Sequence, residues 1–162
     1  MKRWDARPIE IRNLFNPAFC GLVLLRSLTS FEEEDSRGMA FSLSLLVLPL
    51  CLHKPSREVL LRSSRSYFLK TVSDHPELLV GFARRATDLL PFTFEGLGLL
   101  AHVDGLHVEN AGKLRPKPAG FRKSLSGTSE SIDCQRAARF VGREFARIGD
   151  RVTIYTTLGV RP

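Results

Sequence analysis

The run PAFCGLVLLRSLTS, from Pro17 to Ser30, places apolar residues on almost every side of any helix drawn through it. A surface helix keeps one polar face, and a helix without one is surrounded by protein or by lipid. Asn16-Pro17 supplies a start signal. Asn caps free amides, and Pro at the first helical position wastes no N–H. The pattern predicts a central helix with the rest of the chain packed around it. The string FEEEDSRG follows. Acids at a helix C-terminus oppose the macrodipole, so the chain is expected to turn out there, with Gly38 in the loop.

A second oily stretch, LSLLVLPLCLHKPSRE, runs from Leu43 to Glu58. Its apolar part, Phe41 to Leu52, is shorter than the roughly 20 residues a spanning helix needs. His53, Lys54, Ser56 and Arg57 follow at once. The opening MKRWDARPIEIRN has charge, no apolar stretch at signal-peptide distance and no small-residue cleavage site. Both features point to soluble core, no membrane partner and a cytoplasmic location. With 162 residues, 43% hydrophobic and 25% charged, the chain suits one domain over 1–162.

A continuous apolar run does not separate strand from helix, but length and leucine content favour a helix over Phe41–His53, kinked at Pro49. Pro55 disfavours helical geometry at Lys54, so a short helix is expected from Ser56 to Leu61, with another turn or two over Ser66–Val72. Asp74-His75-Pro76-Glu77 reads as a capping box opening a helix that carries Leu78, Phe82, Ala86 and Leu89 on one face. Pro91 is read as its break, with a further helix from Thr93 or Phe94 to Ala101. Leu106–Glu109 and Lys113–Arg115 alternate around Asn110-Ala111-Gly112, which predicts a β-hairpin. Residues 117–131 are polar and rich in Gly and Ser, and read as a loop or linker. The last clear helix is Asp133–Ile148. The tail DRVTIYTTLGVRP fits a short helix or a strand. Helices followed by a hairpin with basic residues give the expected fold class: mainly α with a small β-hairpin, a winged helix-turn-helix-like single domain.

Chemistry-bearing patterns are sparse. Cys20, Cys51 and Cys134 sit on apolar faces and read as buried free thiols of a reducing compartment. No CxxC or HxxxH spacing occurs, so no metal site is assigned. GLHVENAGKL, from Gly105 to Leu114, lacks phosphate-loop spacing. Glu32, Glu33, Glu34 and Asp35 read as a solvated turn or an acidic docking patch. His53 reads as a group that satisfies a nearby carbonyl, with proton donation as the sharper alternative. No catalytic residue and no cofactor is assigned, and the chain is expected not to be an enzyme.

The net charge of +7 favours an anionic partner. Arg136, Arg139, Arg143 and Arg147 recur at three- and four-residue steps and share one helix face. Cys134, Ala137, Ala138, Val141, Phe145 and Ile148 line the other. The arginine face, helped by Lys113, Arg115 and Lys117 of the hairpin, suits phosphates or an acidic protein. The bland alternative is a solvated face partly paired with Glu144 and Asp150.

Three stretches, RNLFNPAFCGLVLLRSL, SLSLLVLPLCLHKPSRE and GDRVTIYTTLGVRP, together resemble the middle component of bacterial three-component ABC systems. The resemblance runs end to end and rests on structural rather than catalytic motifs. It implies a non-enzymatic adaptor in an antiphage or conflict complex, with a large ABC-type ATPase and an effector-bearing third component as partners. It also makes Asn13, Asn16, Pro17, His53, Lys54, Arg57 and Glu58 a candidate docking edge where the two oily helices meet. Against this stands the plain reading that Pro55 ends one helix and Ser56 caps the next. The alternative function is a DNA-binding winged-helix module, or transcriptional regulator, using the arginine face.

Overall fold

A computed structural model describes residues 8, 9, 12 and 15–161. The first oily run forms helix α1 (Pro17–Glu34), and the Asn16 side chain accepts a hydrogen bond from the Ala18 amide at 2.8 Å. The helix does not stop at Ser30 but continues through the acidic string to Glu34. The macrodipole argument is outweighed by arginines brought from elsewhere: Arg115 pairs with Glu32 and Arg147 with Glu34 at 3.1 Å, while Asp35, just past the helix, pairs locally with Arg37 at 2.8 Å.

Gly38, at φ +79°, turns the chain into a two-residue strand, β1 (Met39–Ala40). The second oily run is not one helix kinked at Pro49. It is two, α2 (Phe41–Ser44) and α3 (Val47–Cys51), with the break at Leu45-Leu46. A proline ring clashes with the carbonyl four residues earlier. The break therefore falls upstream, where Leu45 and Leu46 make tight bonds to Ser42 and Leu43. Helix α4 (Lys54–Arg62) starts two residues before the expected position, with Pro55 in its first turn, where no N–H is required.

Helix α5 (Phe68–Asp74) ends at the residue expected to cap the next one. Asp74 instead pairs with Lys70 at 2.6 Å, and a 3-10 turn (Pro76–Leu79) and left-handed Gly81 precede α6 (Phe82–His102). Pro91 does not break α6. The carbonyl it leaves without an amide is that of exposed Thr87, within reach of water. Leu89, Thr93, Gly96 and Leu97 are buried along the same helix.

The predicted hairpin is present as β2 (Leu106–Glu109) and β3 (Lys113–Pro116). Strand β1 adds to it, giving a three-stranded antiparallel sheet in the order β1-β3-β2 with Met39 opposite Leu114 and Val108 opposite Leu114. Helix α7 (Ser129–Ile148) begins a turn earlier than expected because Thr128 caps it, accepting from the Ser131 amide at 3.2 Å. The tail is helical: α8 (Arg151–Thr157) is capped by Asp150, which accepts from the Val152 and Thr153 amides.

Helix α1 lies at the centre, packed most extensively along α7, then α6, with α3 and β3 closing the remaining sides. Cys20, Val23, Leu24, Leu25 and Leu28 are each at most 1% exposed. Two close approaches set the distances between these helices. At the α1–α6 crossing, a Cβ on Gly96 would lie 3.0 Å from the Gly21 nitrogen. At the α1–α7 crossing, a Cβ on Gly142 would overlap the Ser27 carbonyl oxygen and lie 2.8 Å from its carbon. All three cysteines are buried and unpaired. Burial pushes the Cys20 thiol up to about 12 and raises Cys51 and Cys134 as well, which keeps them un-ionised. Among the described residues no helix is long and apolar enough to cross a membrane.

Gly142→Ala is expected to destabilise the protein by roughly 3 kcal/mol, the upper end for overpacking, because the obstruction is backbone rather than a movable side chain. Urea unfolding followed by circular dichroism measures it; a loss below about 0.5 kcal/mol is incompatible with this crossing.

Candidate partner interface

The two stretches that lead and centre the sequence resemblance meet at one groove. Phe15 and Phe19, on either side of Asn16-Pro17, line it with Leu52 and Arg57, and Thr128, Glu130, Ser131 and Cys134 at the start of α7 close the far wall. Its volume is about 360 Å³. Phe15 is held by stacking on Phe92 of α6, ring centroids 4.6 Å apart. The start of α1 thus lies beside the end of α3.

The expected docking residues divide by burial. Lys54, Glu58 and Asn16 are exposed, and Pro17 and His53 are half-buried. Arg57 is only 4% exposed and belongs to the interior. Its guanidinium donates to the Cys51 and Leu52 carbonyls at 3.1 and 3.2 Å, completing the C-terminus of α3, and pairs with Glu130 at 2.6 Å. Asn13 lies outside the described residues. His53 caps α4: its Nδ1 is 2.8 Å from the Ser56 hydroxyl and accepts from the Ser56 amide at 3.4 Å. Burial, and then the positive charges of Arg85 and Arg57, hold its pKa below the ordinary 6.5. A neutral Nδ1 acceptor is what the cap needs.

A second groove, about 640 Å³, joins the middle stretch to the C-terminal one. Leu45 and Leu46 face Ala86 and Leu90 of α6 across it, and Tyr155 and Val160 form its end. The Tyr155 hydroxyl donates to the Ser42 carbonyl at 2.7 Å, fixing α8 against α2. At the α2 end, Phe41 stacks on Phe94, centroids 6.2 Å apart and planes within 6°. These rings remain 39% and 50% exposed. Phe15, Phe19, Phe41 and Phe94 were not among the residues picked from the sequence. The i, i+4 spacing of Phe15 and Phe19 around a helix start was the available signal for the first pair.

The arginine face is largely occupied within the protein. Arg147 pairs with Glu34 and with Glu144, each at 3.1 Å. Arg143 reaches Glu144 at 3.5 Å and lies over the Phe140 ring. Arg136 pairs with Asp133 at 3.5 Å. On the hairpin, Arg115 pairs with Glu32 and with Glu109, and Lys117 with Asp104 at 2.7 Å. Glu144 itself is 2% exposed and accepts from the Phe68 amide at 3.0 Å, so it anchors the start of α5 while Arg143 and Arg147 neutralise it. Lys113 and Arg139 have no carboxylate within ion-pair distance among the described residues. Arg139 donates to the Lys123 carbonyl at 2.6 Å. Among the described residues no three metal-ligating side chains converge.

The family described as ABC-three component (ABC-3C) system Middle Component 3 matches residues 4–162. No curated protein and no solved structure matches the chain.

Two outcomes follow from the contacts. Glu144→Ala leaves the buried Phe68 amide without its acceptor and removes one carboxylate partner from Arg143 and Arg147, and is expected to cost about 3 kcal/mol. Glu144→Gln, which keeps the acceptor, costs less, and equal losses in urea unfolding contradict the assignment. For His53 the folded pKa is the lower one, so the unfolded chain binds the extra proton. Its contribution is complete above the unfolded value near 6.5 and is lost as pH falls from there through the folded value. Stability curves between pH 7.5 and 5 should therefore fall more steeply for the parent than for His53→Asn, which caps without titrating; parallel curves refute the cap.

Proposed function

The chain belongs to the ABC-three component (ABC-3C) system Middle Component 3 family, and from that premise we propose that it is a non-enzymatic adaptor that bridges a large ABC-type ATPase and an effector-bearing component in a cytoplasmic bacterial antiphage complex. The observation that carries the reading is the convergence of the first two motif stretches on one groove, with Phe15 and Phe19 on its wall and Lys54 and Glu58 of the adjoining segment exposed. Apolar grooves rimmed by charge are the form that protein-docking sites take. The exposed Phe41–Phe94 pair supplies a second aromatic anchor of the kind that dominates binding energy. No catalytic residue enters this reading.

The test is co-purification of the tagged chain with its genomic neighbours, with and without nuclease. The ATPase is expected to be retained through nuclease treatment, and retention should fall at least tenfold for the exposed double variant Lys54→Glu/Glu58→Arg. Failure of both neighbours to be retained, with the chain a stable monomer, overturns the adaptor.

The sheet favours a second reading, a DNA-binding winged-helix module. A strand before the helices completes the basic hairpin, in the helix–strand–helices–hairpin order of such domains. The pairing of Arg115, Lys117, Arg143 and Arg147 weighs against it, since each ion pair has to be broken before a phosphate is met. Under this reading log affinity for duplex DNA falls by about 0.9 per phosphate contact for each unit of log salt. Lys113→Glu/Arg136→Glu, which spares Glu144, should shallow that slope. An unchanged slope removes this face.

A further inference from the structure

A cavity of about 510 Å³ lies between the second half of α1, the segment after β3 and α7, away from both grooves described above. At one end stand two guanidiniums. Arg26 is 9% exposed, and its Nε donates to Gln135 at 3.2 Å while its two terminal nitrogens reach the Lys123 and Ser124 carbonyls at 3.4 and 3.1 Å. Arg139 donates to the same Lys123 carbonyl. Among the described residues neither has a carboxylate partner. The interior of the chain thus holds a cation whose contacts are all neutral, and burial, then the charge of neighbouring Arg139, lower its pKa. The other buried arginine among the described residues, Arg57, does meet a carboxylate, that of Glu130. An unpaired buried charge is costly unless an anion joins it. The Lys123 carbonyl oxygen, which accepts from both guanidiniums, brings the two cations together at one end of the cavity, where an anion would be attracted to their remaining donors. Arg26 carries five N–H donors and Arg139 five more, and the contacts named leave most of them open.

The rest of the cavity narrows the anion. Thr29 and Ser30, three and four residues beyond Arg26, stand on the same helix face and offer hydroxyls. The opposite wall is Pro116, Pro118 and Phe121, apolar and flat. Phe121 is fixed by packing on Gly105, where an added Cβ would lie 2.9 Å from its ring. At the far end are Glu32, tied to Arg115, and exposed Glu33, seven residues or about 10 Å along α1 from Arg26. A polyanion is disfavoured by those carboxylates. A ligand with one anionic end, a flat body and a hydrogen-bond-donating far end fits.

We propose that this cavity binds a mononucleotide, its phosphate between Arg26 and Arg139, its base against the Pro116–Phe121 wall and a base or ribose donor towards Glu33. The proposal does not depend on the adaptor reading, because it concerns a different face.

Calorimetric titration of the purified full chain with AMP, inorganic phosphate and adenosine tests it. AMP should bind saturably and at least tenfold more tightly than phosphate or adenosine. Arg139→Gln should weaken AMP at least tenfold. Phe121→Ala should weaken AMP while leaving phosphate unchanged. Both variants must melt cooperatively for the comparison to count, and neither touches the buried Arg26. Equal affinities for AMP and phosphate, an Arg139→Gln variant that binds as the parent does, no saturable binding at millimolar AMP, or an oligonucleotide that binds uncompeted by AMP would each overturn it.

Discussion

Where α1 passes α7, the Ser27 carbonyl occupies the space a side chain at position 142 would need. That approach makes one helix the axis of the protein. It puts Cys20, Leu24 and Leu28 in one buried core with Ala137, Ala138 and Val141, and the small Ala137, Ala138 and Gly142 let the two backbones run close. It also brings the acidic end of α1 beside the basic end of α7. The Arg147–Glu34 pair lies across this seam, and Glu144 on the same helix reaches sideways to hold α5. Moving either helix by an ångström would loosen core, ion pairs and anchor together.

The charge distribution follows from the same geometry. Read along the chain, the acidic string and the recurring arginines look like two separate surfaces, each inviting an outside partner. In three dimensions Arg147–Glu34 joins them directly, while Glu32 is met by Arg115, and Arg136 and Arg143 by Asp133 and Glu144. Sequence spacing places residues on a face of their own helix, but it does not say what stands opposite. The surplus positive charge that produces +7 therefore lies in fewer places than the sequence suggests, and one of them is the unmatched pair Arg26 and Arg139.

Elements whose signals are local were legible. The burial of the first oily run, its Asn16-Pro17 start, the hairpin around Asn110-Ala111-Gly112 and the amphipathic C-terminal helix all rest on patterns within a few residues. What failed depended on distant partners. Helix α6 runs through Pro91 because α1 supports it, α1 runs through its acids because Arg115 and Arg147 reach it, and β1 is too short for any periodicity to betray it. At the candidate interface, the meeting of the NPAFC and LHKPSRE segments was foreseeable from antiparallel packing of the two oily helices. Arg57 was misplaced because a basic residue after two oily turns looks like surface, while its role is to bind the carbonyls those turns leave free. The family resemblance was legible because it resides in these packing motifs.

The central helix is made early and its chief neighbour late. Residues 17–34 leave the ribosome more than a hundred residues before the end of α7, and Tyr155, which secures α2, follows later still. Until then the oiliest segments of the protein have no permanent cover. Such long-range closure is slow and leaves nascent chains sticky. A chain wired this way leaves one side of its central helix open to chaperones, or to any partner translated close by, until α7 is made.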